Sequence, residues 1–419
     1  MQARGRGAGG LSADARRILT VQALRAFVYG LGSVLIGVAF ERRGLSGLEV
    51  GLVITALLAG AALVSLLIAR YGDRIGRRRA YLALLASMGA AGTVFALTDF
   101  VPALVIAALT GTVSTEVVES GPFTSLEQAM LPHAAEGRDS TRLFGAYNTI
   151  ATLAGSLGAL AAGGPTLLDT GSQRWLLAYP IAAAAALAVA ARLSPAVDGG
   201  RGLERDPGPP LHRSRGVVLR LSGLFALDSF GGGFVVQTFI AFWFARKFGT
   251  SPETLGLLFF TVGILQALSF QAAVRLAGRI GLLNTMVFTH LPSNVLLAAI
   301  ALAPSEPVAI ALLLGRFALS QMDVPTRQAY VVAVVDPSER TAAAAYTNTS
   351  RYATRPLAPL VAGPLIQVSL GAPFVIAGAL KIVYDLGLYA LFRRIAAPLE
   401  VTEPSRAANA EAEPPEDDP

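Results

Sequence analysis

Between two long apolar runs, at 48–69 and 80–98, the chain reads Arg70-Tyr71-Gly72-Asp73-Arg74-Ile75-Gly76-Arg77-Arg78-Arg79. About 20 mostly apolar residues at roughly 1.5 Å rise per residue cross a bilayer. The charged segment is therefore read as a short link joining two membrane crossings at one face. A related phrase, Arg275-Leu276-Ala277-Gly278-Arg279-Ile280-Gly281, returns at an offset of 205. Around it Phe40, Gly44, Ser46 and Gly51 align with Phe244, Gly249, Ser251 and Gly256. A register held over several crossings marks an internal repeat of two halves.

Composition agrees. Of 419 residues, 53% are hydrophobic and 15% charged, against about 25% charged in ordinary soluble domains. Hydropathy predicts spans at 18–40, 48–70, 80–98, 101–130, 142–163 and 175–192. Six more follow at 217–244, 254–275, 283–303, 307–330, 341–366 and 372–392. The expected fold is an all-α membrane protein with twelve transmembrane helices in two pseudo-symmetric six-helix bundles. The expected organisation is a tail (1–17), a first bundle (18–193), a Pro/Gly/Arg-rich linker (194–216), a second bundle (217–394) and a disordered acidic tail (395–419).

The net charge of +6 does not gather on one polar face, so nucleic acid is not an expected partner. With both termini cytoplasmic, 23 basic residues fall on that side and five, Arg42, Arg43, Arg174, Arg246 and Lys247, on the other. That asymmetry orients a multi-pass protein of the cell (inner) membrane. There is no cysteine, which removes disulfides, thiolate metal sites and cysteine nucleophiles. His133, His212 and His290 are too scattered for a metal site. His290 in span 9 reads as a packed polar residue. Gly231-Gly232-Gly233 follows no strand, so it reads as a bend near a site and not as a nucleotide loop.

Ionisable residues inside spans are costly and mark pathways or pairs. Twelve are placed there: Arg25, Arg316, Arg327, Arg351, Arg355 and Lys381 against Glu116, Glu119, Glu127, Asp228, Asp323 and Asp385. In span 4, Thr112, Glu116, Glu119, Phe123 and Glu127 recur at helical spacing and predict one acidic face. Arg316, Ser320, Asp323 and Arg327 do the same in span 10, and Asn348, Arg351 and Arg355 in span 11. Lys381 and Asp385, four apart, are expected to pair locally. Arg25 and Asp228, at equivalent places in the repeats, are expected either to pair across the halves or to be satisfied within their own. Arg25, Glu116, Glu119, Asp228, Arg316, Asp323, Arg351 and Arg355 form the candidate substrate and coupling set. Glu116 and Asp228 are the best proton carriers by depth.

The Asp73-Arg74-Ile75-Gly76-Arg77-Arg78 phrase resembles the cytoplasmic signature loop of the major facilitator superfamily of secondary transporters, with Ala69 in place of its leading glycine. The resemblance runs over residues 15–395. It implies a gate in which Asp73 faces the start of span 11, Arg74 or Arg77 reaches Glu127, and Gly76 makes the turn, with Arg327 at the same depth. The family's antiporter signature in span 5 is partly matched by Gly155, Gly163 and Gly164, while Ala159-Leu160 replaces its central Gly-Pro. Gln321-Met322-Asp323-Val324-Pro325-Thr326-Arg327-Gln328 resembles a stretch of bacterial members.

These readings predict a monomeric transporter of a small organic molecule, not an enzyme, working by alternating access with no cofactor beyond a proton gradient. The leading expectation is proton-coupled efflux. Uptake or facilitated diffusion of an anionic solute is the alternative, favoured by Arg25, Arg316 and Arg351. A non-transporting sensor or scaffold is the second alternative.

Overall fold

A computed structural model of the protein describes residues 12–114, 116, 121–134, 140–198 and 211–394. Regular structure there is helical throughout. Spans 1 to 3 are single helices, α1 (Ala13–Arg42), α2 (Gly47–Ile75) and α3 (Arg77–Leu97). Span 4 is split into α4 (Val101–Leu109) and α5 (Pro122–Ala134). Span 5 is α6 (Ser140–Ala161), extended by one turn, α7 (Gly164–Leu167), and span 6 is the 3-10 segment Ser172–Leu177 running into α8 (Ala178–Ala190). In the second half span 7 divides into α9 (Arg215–Gly233) and α10 (Gln237–Phe248), followed by α11 (Pro252–Ile280) and α12 (Leu282–Ile300). Span 10 divides into α13 (Glu306–Ser320) and α14 (Asp323–Val334), and span 11 into α15 (Arg340–Thr354) and α16 (Ala358–Val368) around the 3-10 turn Arg355–Leu357. α17 (Ala372–Phe392) is span 12.

Ten of these crossings are long and apolar enough to span a membrane as they stand. Spans 4 and 11 complete the twelve as pairs of shorter helices. The repeat is visible in backbone chemistry. Gly44 and Gly249 end the first helix pair of each half at φ +65° and +69°, and Gly76 and Gly281 turn the next at +94° and +87°, a region that glycine enters without penalty. Ser46 and Ser251 then cap α2 and α11, Ser46 in a reciprocal box with Glu49.

Within the first half α1 packs on α6 and α3 on α8; within the second, α12 packs on α17 and α9 on α15. The halves meet through α1 and α10, α2 and α16, and α6 and α11. Small residues make these contacts close, as lipid-embedded helices require. A Cβ on Gly51 would meet the Pro359 carbonyl at 2.4 Å, and one on Gly37 the Thr238 carbonyl at 2.3 Å. Polar links on the same side are Gln237 Nε2 to Ser33 Oγ at 2.9 Å and Arg246 to Glu41 at 3.4 Å. All of these lie toward the face opposite the termini, here called the distal face. One apolar cluster runs through both halves there, with Phe40, Phe242, Trp243 and Phe374 buried in it. At the terminal end the second half has a separate core around Val218, Phe225, Tyr330 and Phe392. Ser125, Gln128, Asn148 and Asn348 sit exposed inside spans on that side, where lipid would penalise them and a water-filled cleft does not. The halves are thus sealed distally and splayed toward the terminal face.

The expected linker is ordered at both ends. Asp14 accepts from the Ser194 N–H at 3.2 Å, and Asp198 accepts from the Arg78 N–H at 2.9 Å. At the far end the Glu339 carboxylate accepts from the N–H groups of His212, Arg213 and Ser214 at 2.7, 3.0 and 2.8 Å. Those backbone donors, His212 first, hold the Glu339 carboxyl down to about 2.

Candidate functional site

The first half encloses one polar cluster. Arg25 of α1 donates from Nη2 to Glu127 Oε2 of α5 at 2.7 Å, and Tyr81 of α3 donates to Glu127 Oε1 at 2.6 Å. Tyr147 of α6 donates to the same carboxylate and Gln22 accepts from Arg25. The guanidinium also lies 4.9 Å from the Phe123 ring centre, an electrostatically favourable stacking. Glu127 is wholly buried and Arg25 nearly so. Of the two arrangements expected for Arg25 and Asp228, a bridge across the halves or satisfaction within each half, the structure has the second: Arg25 pairs with Glu127 and Asp228 with Lys381. The expected contact of Glu127 with Arg74 or Arg77 is absent because Arg25 takes its place. Arg74 is exposed, and Arg77 donates to the Ala129 carbonyl at 3.0 Å, two residues beyond Glu127. Gly76 makes the α2–α3 turn, while the Asp73 side chain lies outside the described residues.

The second half holds a larger cluster. Lys381 of α17 donates to Asp228 Oδ1 of α9 at 2.5 Å, and Arg327 of α14 stands 3.7 Å from Asp228 Oδ2 and 2.5 Å from Asp323 Oδ2. Asp385 does not pair with Lys381 as expected. It accepts from Asn294 Nδ2 at 2.8 Å and faces His290 Nδ1 at 2.8 Å, both on α12. One turn of helix separates Lys381 from Asp385, yet partners on other helices claim each of them. The sequence reading missed His290, Asn294, Tyr81 and Tyr147 as network members. Their types carried no signal beyond being polar groups inside spans, and their partners are remote in sequence.

Between the clusters, at mid-depth, four spans break. Span 4 leaves helix geometry at Gly111, which takes φ +65°, and resumes at Pro122, whose missing N–H suits a first turn. The expected acidic face from Thr112 to Glu127 is therefore not one helical face. Gly111 sits where a Cβ would meet the Gly60 carbonyl at 2.4 Å, so the chain bends to pack there. Glu119 lies outside the described residues. Glu116, freed from the helix, reaches across to Arg355 at the α15–α16 break, 2.5 Å between Oε1 and Nη2, with about a quarter of each side chain exposed. Span 7 breaks after Gly231-Gly232-Gly233, and the Arg355 carbonyl lies 2.3 Å from where a Gly233 Cβ would be. Span 10 turns at Gln321-Met322, so Arg316 and Ser320 lie on one segment while Asp323 and Arg327 lie on the next.

Two arginines stand apart from these pairs. Arg316 is 8% exposed, with its guanidinium 4.6 Å from the Phe317 ring centre. Its Nε and Nη1 are buried with no hydrogen-bond partner among the described residues, as is Nε of Arg351. Asp228 is the acidic group that acts electrostatically on both. Buried N–H donors left unpaired are expensive, and an anion arriving between spans 10 and 11 satisfies them.

Comparison with known proteins follows the same outline. The family model of the Major Facilitator Superfamily matches residues 18–242 and 221–415. An uncharacterized membrane protein of Saccharomyces cerevisiae is 25% identical over 418 residues, covering 90% of this chain and 93% of its own. Among solved structures, the nucleoside transporter NupG superposes with a TM-score of 0.74 at 13% identity, covering 90% of this chain and 99% of that one. A D-xylose-proton symporter superposes with a TM-score of 0.68 at 15% identity, covering 90% and 97%. At such identities these structures share the fold alone.

Proposed function

The chain belongs to the major facilitator superfamily, and on that premise we propose that it moves a small organic solute bearing a negative charge across the membrane, coupled to protons. The observation that carries this reading is the set of buried donors without partners at the mid-depth breaks, Nε and Nη1 of buried Arg316 and Nε of half-buried Arg351. A carboxylate or phosphate supplies the acceptors they lack, and Arg suits either through its planar fork of donors. Arg25, counted in the sequence with this basic centre, belongs to the Glu127 pair. Gln321 and Ser320, beside Arg316, offer hydrogen bonds for the solute's neutral part.

Alternating access then opposes the state seen here, sealed distally, to one sealed at the terminal face. The excess of arginines on the terminal side supports an orientation with both termini cytoplasmic in a cell membrane, so the splayed cleft faces the cytoplasm and one copy of the chain suffices. Glu116 and Asp228 are the carboxylates at the right depth for coupling, each held by a cation from another span. The glycines of span 5 do not select export in exchange for protons: Ala159-Leu160 stands where the antiporter pattern has Gly-Pro, and a Cβ on Gly158 would meet the Phe27 carbonyl of α1 at 1.8 Å, so these glycines serve helix packing. The arginines with unmet donors support uptake as well as export, since an anion enters against the membrane potential more readily with a proton.

The test is stabilisation of the purified protein by a panel of small carboxylates and phosphate esters alongside their neutral esters and alcohols. Charged members raise the unfolding midpoint and Arg316→Gln and Arg351→Gln abolish the rise. Equal stabilisation by neutral analogues, or a rise that survives both substitutions, overturns the anion reading. In proteoliposomes an imposed pH gradient drives accumulation of a stabilising solute, and Glu116→Gln and Asp228→Asn uncouple it. Accumulation indifferent to both discards them as coupling groups.

A further inference from the structure

His290 sits between two carboxylates in a way that nothing in the transport cycle described so far uses. Its Nδ1 is 2.8 Å from Asp385 Oδ1, and its Nε2 is 4.0 Å from Asp228 Oδ1. At 2.8 Å one hydrogen lies between Nδ1 and the carboxylate oxygen, because two bare acceptors do not approach that closely, and with Asp385 ionised that hydrogen sits on Nδ1. In the neutral ring Nε2 is then a lone pair facing the Asp228 carboxylate, acceptor against acceptor. One proton on Nε2 turns that repulsion into attraction between unlike charges at ion-pair distance. The site is 5% exposed at His290 and closed to water at Asp385.

The charges around the ring point the same way. From α9 comes Asp228, from α17 Lys381, Tyr384 and Asp385, from α14 Asp323 and Arg327. Arg316 of α13 and Arg351 of α15 act on Asp228 without pairing to it, and Asn294 is the polar neighbour on α12 itself. In direct contact, Asp228 and Asp323 meet Lys381 and Arg327, while the third carboxylate, Asp385, touches only His290 and Asn294. The contact network is short by one positive charge, and His290 is the group that can supply it. Tyr384 covers the ring edge-on, at 5.8 Å between centres.

We propose that His290, oriented by Asp385 and facing Asp228, is a proton-binding site of the transport cycle, placed on spans 9 and 12 behind the solute cleft and joined to it through Asp228. The proton enters at Nε2 and no other bond changes. Asp228 is the shared element: the anion site of Arg316 and Arg351 reads its charge on one side, and His290 reads it on the other. An anion added at the arginines favours a proton added at His290, so the two bind together and travel in the same direction. This coupling rests on the anion reading above; the proton site itself does not.

The experiment titrates the ring with no solute present. Full-length protein carrying His133→Gln is labelled with 15N-histidine and placed in lipid nanodiscs, leaving exposed His212 and buried His290 to report. As the medium is acidified His290 gains a second ring proton while Nδ1 keeps its hydrogen. Asp228→Asn moves that uptake toward acid by roughly tenfold in proton concentration or more, and Asp228→Glu restores it. His212 stays unmoved in all variants. A ring that never takes the second proton, or whose uptake ignores Asp228→Asn while Asp385→Asn leaves Nδ1 unperturbed, overturns the proposal. Because no solute is used, that failure leaves the anion reading intact, and failure of the anion panel leaves the proton site intact.

Discussion

Arg25 and Glu127 lie 102 residues apart and meet as a 2.7 Å ion pair whose carboxylate has no exposure at all. The pair ties α1 to α5, and the hydroxyls of Tyr81 and Tyr147 complete it. It stands beside the α2–α3 turn, where Arg77 donates to the Ala129 carbonyl of α5, and its members all belong to one half.

Removing one member of that pair leaves a charge with no counter-ion. Glu127→Gln or Arg25→Met is expected to cost about 3–5 kcal/mol, read as a large drop in the thermal unfolding midpoint. The double variant should lose less than the two singles together. A Glu127→Gln protein as stable as the parent would show that the pair is not holding the bundle.

The Glu116–Arg355 bridge joins the halves at mid-depth, but about a quarter of each side chain is exposed, which limits its strength to about 0.5–1 kcal/mol. Glu116→Gln is therefore expected to shift the balance of states by roughly two- to fivefold. The cysteine-free sequence allows a direct reading. A single cysteine in place of Asn348, exposed on the terminal side, should react more slowly with a polar thiol reagent in the Glu116→Gln background. Unchanged reactivity would mean the bridge does not bias the states.

Closure of the distal face depends on backbone touching backbone. Gly51→Val places a Cβ within 2.4 Å of the Pro359 carbonyl and 3.0 Å of the Gly363 Cα, and neither atom can swing aside. A cysteine replacing Ser33, now fully buried, should be unreactive in the parent and labelled in Gly51→Val. Silence in a Gly51→Val protein that remains monodisperse would refute the seal.

Acid should loosen the linker anchor. Glu339 is held at about 2 by backbone donors, against about 4.3 when unfolded, so the folded carboxyl is depressed. Its contribution is full above about pH 4.3 and disappears as pH falls toward 2. The gap in unfolding midpoint between parent and Glu339→Gln should be constant near neutrality and close in acid. A gap independent of pH would assign it to something other than the ionised carboxylate.

Much of the fold can be read from the chain. Crossings announce themselves by apolar length, and the repeat by paired glycines and capping serines, because lipid and backbone geometry restrict both strongly. The polar network is harder to read. Lys381 and Asp385 sit at helical pairing distance, and only the packing of α9 and α12 against α17 gives each a better partner. The repeat left Arg25 and Asp228 either to pair with each other or to be satisfied within their own halves, and what decides for the second, Tyr81 and Tyr147 arriving from α3 and α6 to close a cage around Glu127, carries no signal in the spacing. Regular spacing in span 4 suggested a helix face, whereas Gly111 and Pro122 bracket the break, and both are legible as punctuation once the periodicity is set aside.

Among the described residues, spans 4 and 11 are the two crossings not covered by a helical stretch, counted across its breaks, that is long and apolar enough to cross a membrane, and they are the two that Glu116 and Arg355 join. A nascent chain presents span 4 to the bilayer with its carboxylate alone, long before the arginine that neutralises it has been synthesised. Biogenesis of the first bundle is therefore finished by the second. A chain cut before span 11 should leave span 4 loosely seated, detectable by attaching a glycan acceptor beyond its distal end and following how it is modified as the chain is lengthened.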